Sequence, residues 1–117
     1  MKPEAAIKAK CALWLKKHSD IIYSCAYPAT YGAGGFADRL GYIKRREGRV
    51  DDKLLLPYSV VPPAIPFVIE YKAPGKELTL RQESFKRKME EMGVPILAPC
   101  TSLDELRVFI DGLINIR

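Results

Sequence analysis

The stretch Phe67-Val68-Ile69-Glu70-Tyr71-Lys72 constrains the fold of this chain more than any other segment. It is an apolar run of strand formers that carries a carboxylate and an ammonium two residues apart. In a strand, residues i and i+2 point to one face. Glu70 and Lys72 therefore stand side by side on a strand that otherwise reads as core. Burying one charge is costly, and burying two needs a compensating role. A metal-dependent active site supplies one: the carboxylate binds a divalent cation, and the lysine sits near a reacting phosphate or water. The plainer alternative is a same-face pair on an exposed sheet edge.

The 117 residues fit one domain, residues 1–117. No apolar run approaches the roughly 18 to 20 residues of a membrane span. The start, Met1-Lys2-Pro3-Glu4, lacks an apolar segment of the secretory kind, so a cytoplasmic protein is expected. Cys11, Cys25 and Cys100 match no zinc spacing and read as reduced, mostly buried thiols. The net charge of +5 permits a polyanionic partner. Basic residues cluster at Lys44-Arg45-Arg46 with Arg49, and at Arg81 with Lys86-Arg87-Lys88. Lys44, Arg45, Arg46, Arg49, Lys76 and Arg81 are the candidate DNA contacts. A solvated face is the competing reading for each cluster.

The periodicity predicts a helix over 3–18, with Ile7, Cys11, Trp14 and Leu15 on one apolar stripe and Lys8 mostly off it. His18 reads as an end-of-helix residue near a favourable dipole. Strands are expected over 21–26 and 36–43, separated by a loop containing Gly32, Gly34 and Gly35. No Gly-Lys-Ser/Thr follows, so a phosphate-cradling P-loop is not expected. Residues 44–66 read as an extended hairpin or long loop closed by Pro62, Pro63 and Pro66. Leu54-Leu55-Leu56 and Tyr58–Val61 offer an exposed edge for self-association. A strand over 67–73 follows. Thr79-Leu80-Arg81-Gln82 matches a capping box, opening a helix that buries Leu80, Phe85, Met89 and Met92 and ends at Gly93. A strand over 94–98 and a last helix follow. Ser102-Leu103-Asp104-Glu105 forms a second capping box there, and Leu103, Leu106, Ile110 and Leu113 lie inside. The order α-β-β-(insert)-β-α-β-α implies an α/β sandwich with a central mixed β-sheet flanked by helices.

Four pieces line up: Gly35-Phe36-Ala37-Asp38, Glu70-Tyr71-Lys72, Thr79-Leu80-Arg81-Gln82 and Gly93-Val94-Pro95-Ile96-Leu97. In order and context they resemble the VRR-NUC (virus-type replication-repair nuclease) family of the PD-(D/E)XK nuclease superfamily. Ala37 stands where the superfamily pattern has proline, and the long Asp38-to-Glu70 separation implies an inserted segment.

The resemblance implies a restriction-endonuclease-like fold and a Mg²⁺- or Mn²⁺-dependent DNA endonuclease. It points to a phage or prophage setting in a bacterial host cell, and to branched DNA, such as a four-way junction, or nicking. A homodimer is expected because a junction needs paired cuts. Asp38 and Glu70 are the expected metal ligands, the Tyr71 carbonyl is a further one, and Glu4 either joins them or is a favourable first-turn charge. Lys72 orients or deprotonates the water, or stabilises developing charge. Gln82 serves the site, the helix cap, or both. Asp38 beside Arg39 could instead be a turn residue with a surface ion pair. The rival function is a non-catalytic nucleic-acid-binding module on the same fold. The absence of a Cys/His cluster favours magnesium or manganese over zinc.

Overall fold

A computed structural model describes residues 3–27, 37–45 and 64–117. Within them the elements are α1 (Pro3–Lys17), β1 (Ile22–Ala26), β2 (Arg39–Ile43), β3 (Ile65–Tyr71), α2 (Leu80–Glu91), β4 (Ile96–Cys100) and α3 (Leu103–Asn115). The order is the expected one. The glycine-rich loop, Arg46, Arg49 and the Leu54–Val61 edge lie outside the described residues. The strands form one mixed sheet in the order β1-β2-β3-β4. β1 and β2, and β2 and β3, pair antiparallel, while β3 and β4 pair parallel. The whole is an α/β fold of four strands and three helices among the described residues. No helix among them is long and apolar enough to cross a membrane.

Strand alternation decides which face is core. Ile65, Phe67, Ile69 and Tyr71 of β3 join Ile22 and Ile43 on one face. That face packs against Cys11 and Leu15 of α1 and Leu106, Ile110 and Leu113 of α3. The α1 stripe lies as the sequence predicts, with Ile7 and Trp14 at its margin. Gly41 stands directly opposite Phe67. A Cβ at Gly41 would collide with the Phe67 ring, so the missing side chain is the space that the ring fills.

β3 begins two residues earlier than the sequence suggests and includes Pro66. The backbone N of Val68 points toward β4, donating to the Pro95 carbonyl. The N of Pro66 has the same parity, and β4 pairing reaches no further than Val68. The missing N–H therefore costs no ladder bond. β2 starts at Arg39 rather than at residue 36, and β4 spans Ile96–Cys100 rather than 94–98. Opposite Glu70, β4 holds an irregularity at Ala98 and Pro99, whose peptide bond is cis.

α2 differs most from expectation. Its capping box is present, with Thr79 and Gln82 bonded reciprocally. Its end is also the expected one: Gly93 adopts φ 74°, and the Val94 and Gly93 N–H groups return to the Met89 and Glu90 carbonyls. However, none of its residues is buried; Leu80 is 86% exposed and Met92 65%. The helix lies on the sheet's second face near the β4 edge, where Gln82 bonds Glu70; Phe85 and Met89 are half-buried. α3 is capped by Ser102 accepting from the Glu105 N–H. The Glu105 carboxylate does not complete a box; it bonds the Thr101 hydroxyl instead.

Candidate active site

The site forms where β2 begins and β3 ends. Asp38, one residue before β2, is held on every side. Its N–H donates to the Ile69 carbonyl at 3.0 Å, and its own carbonyl accepts from the Tyr27 N–H at 2.9 Å. Its Oδ2 accepts from the Tyr71 N–H at 2.8 Å. The side chain thus takes the ladder position that the backbone of β2 would have filled, and this fixes the carboxylate at the sheet end. A surface pair between Asp38 and Arg39 does not form. Arg39 points to the core face, where Nη1 donates to Ser24 Oγ at 2.8 Å.

Glu70 lies between Ile69 and Tyr71, so alternation turns it to the second face, away from the apolar core. It is only 5% exposed. Gln82 Nε2 donates to its Oε1 at 2.7 Å, while Gln82 Oε1 accepts the Thr79 N–H at 2.9 Å. One amide caps the helix and orients the carboxylate, so both roles expected of Gln82 hold together. Oε2 of Glu70 is buried without a hydrogen-bond partner among the described residues. Burial first, then the charge of the neighbouring Asp38 carboxylate and a hydrogen bond that the protonated Glu70 shares with it, push Glu70 up to about 8 against the opposing pull of Lys72 and Lys8. A carboxyl so placed is largely protonated at neutral pH unless a cation joins it.

Lys72 follows the strand end, half-buried, with its N–H bonded to the Cys100 carbonyl. Its charge acts on Glu70 as the i, i+2 spacing implies. The exposed-edge alternative fails for this pair, because β3 is an inner strand and Glu70 is buried.

Lys8 is the residue that sequence reasoning missed. Its Nζ stands 3.6 Å from Glu4 Oε1 and 3.7 Å from Asp38 Oδ1. Glu4 therefore reaches the site through Lys8. The i, i+4 spacing of Glu4 and Lys8 on a helix was a visible signal of that pair, and the resemblance brought Glu4 toward the site, but nothing in the sequence linked Lys8 to Asp38. Among the described residues no three His, Cys, Asp or Glu side chains converge. Asp38 and Glu70 form a two-carboxylate site. An unpartnered buried oxygen beside a second carboxylate fits a hard divalent cation, which takes oxygen ligands. Of the candidate DNA contacts, Lys44, Lys76 and Arg81 are exposed and Arg45 is half-buried. No family model, curated protein or solved structure matches the chain.

Proposed function

We propose that this chain is a metal-dependent DNA endonuclease of the VRR-NUC kind, built on a restriction-endonuclease-like sandwich. The observation that carries the reading is the pairing of Asp38 with a buried Glu70 whose second oxygen has no partner among the described residues. A stable fold gains little from that arrangement: ionised, Glu70 is a partly satisfied buried charge beside a like charge, and it escapes that cost only by holding a proton or a cation. Magnesium or manganese, when bound, supplies charge neutralisation and an activated water for phosphodiester hydrolysis. Asp38 and Glu70 would hold it, with the Tyr71 carbonyl as a further ligand. Gln82 keeps Glu70 aimed at the site. Lys72 lies beside Glu70, suited to orient the water or to stabilise charge developing on the phosphate.

The substrate we propose is branched or nicked DNA, met in a phage or prophage setting in the bacterial cytoplasm, with the enzyme acting as a homodimer. The test is incubation of the purified protein with supercoiled plasmid and a labelled four-way junction in Mg²⁺, Mn²⁺ or EDTA. Cleavage in either metal and none in EDTA is expected. Salt-dependent binding without cleavage would leave a non-catalytic binding module instead. Lys72→Ala should lower single-turnover cleavage by on the order of 10² while DNA binding in Ca²⁺ stays near wild type.

A further inference from the structure

The second face of the sheet carries side chains in rows. Tyr23 is registered opposite Tyr42, and Tyr42 opposite Pro66. The next row is Cys25, Leu40 and Val68. Asp38 and Glu70 continue the same face beyond it. Tyr23 is 73% exposed and Tyr42 54%, whereas their strand neighbours Ile22 and Ile43 are 3% and 0% exposed on the core face. Two tyrosines thus lie side by side across β1 and β2 with no helix over them among the described residues. Lys44, exposed, follows Tyr42 on the same face by alternation. From Asp38 to Tyr42 the strand rises about 14 Å at about 3.4 Å per residue.

The face therefore runs from an ammonium, through an aromatic pair, to the paired carboxylates. Tyrosine rings present a flat apolar surface with a wet hydroxyl, which suits a partner that is planar and hydrated at its edges. Nucleobases are such partners; they stack on aromatic side chains with little regard to sequence, while basic groups follow the backbone. A paired duplex hides its base faces and cannot use the platform.

We propose that Tyr23 and Tyr42 stack the bases of unpaired nucleotides, with Lys44 on an adjoining phosphate, so that a single strand lies along β2 toward Asp38 and Glu70. The direction of that strand toward a cutting site rests on the nuclease reading; the stacking is read by binding alone. The partner is a single-stranded flank of the DNA, which makes this face the part that distinguishes branched DNA with an unpaired arm, such as a flap or a fork, from continuous duplex.

The test is fluorescence anisotropy with a labelled single strand and with a blunt duplex of the same sequence, in Ca²⁺, for wild type, Tyr42→Ala, Tyr23→Ala and Tyr42→Phe. Tyr42→Ala should weaken single-strand binding about ten-fold or more and leave the duplex unchanged. Tyr42→Phe, which keeps the ring, should bind as wild type. Equal losses on both ligands, or no loss on either, would overturn the proposal. So would a drop in sedimenting mass for Tyr42→Ala with single-strand affinity unchanged, which would make the face a contact between copies. Cleavage by wild type with Tyr42→Ala silent on the single strand would sink stacking and leave the nuclease standing. Selective loss with no cleavage in any metal would do the reverse.

Discussion

The two faces of β3 obey opposite rules. One presents Ile65, Phe67, Ile69 and Tyr71 to α1 and α3 and is closed by apolar contact. The other presents Val68 and Glu70, and its burial encloses a carboxyl next to Asp38. The first face stabilises the sheet. The second holds two carboxyl groups where charge is costly, positioned by a network: Gln82 on Glu70, the Tyr71 N–H on Asp38, and Lys8 outside them. A single strand thus separates the apolar contacts that hold the fold together from the carboxyl pair that the fold holds in place.

Substitutions on each face test that division. The largest loss of stability should come from the core face. Phe67→Ala should cost about 3–5 kcal/mol in urea unfolding, because it opens a large cavity beneath Gly41. A loss below that of an ordinary surface change would mean that Phe67 is not the centre of the core. On the other face the sign should reverse. The Glu70 carboxyl has its pKa raised from the usual 4.5 to about 8, so folding favours the protonated form. Its contribution is fully present below about 4.5 and is lost as pH rises through about 8. Metal-free stability should therefore fall across that window. Glu70→Gln should flatten the fall and stabilise the metal-free protein at pH 8 by on the order of 2 kcal/mol. Thermal unfolding in EDTA at several pH values reads this directly, and parallel curves for the two proteins would contradict it.

Smaller effects sharpen the boundary. Gln82→Ala removes half of a capping box and the Glu70 bond, and should cost about 1 kcal/mol by urea titration. Leu80→Ala, at an exposed position, is the control that should cost nothing measurable. Lys8→Met should change stability by less than about 1 kcal/mol, since the Glu4 and Asp38 pairs are solvent-screened. Its effect should grow with pH as Glu70 ionises. A large loss at low pH would mean that Lys8 is a packing residue.

Much of this was legible in the sequence, for definite reasons. The α1 and α3 stripes follow helical period, the Thr79 cap is a four-residue signal, and Gly93 marks the end of α2. Glu70 stands out because an apolar strand carrying a carboxylate is unusual, and Asp38 is joined to it by the order of motifs that carries the family resemblance. What failed was non-local. Leu80 at the start of α2 and Met92 just past its end are exposed where the sequence predicts a core stripe, because the helix rests on the sheet through few contacts. Pro66 read as a breaker because its strand position depends on where β4 starts pairing. Lys8 looked like one more surface lysine because its second partner lies on β2.

The central claim is that Asp38 and Glu70 together hold one divalent cation. The most direct measurement is calorimetric titration of the metal-free protein with Mn²⁺ at pH 7 in two buffers of different ionisation enthalpy. With Glu70 raised to about 8, wild type should bind one equivalent of cation and release about one proton. Asp38→Asn should bind far more weakly, and Glu70→Gln should both bind weakly and release no proton. Unchanged Mn²⁺ affinity in both variants would contradict the account.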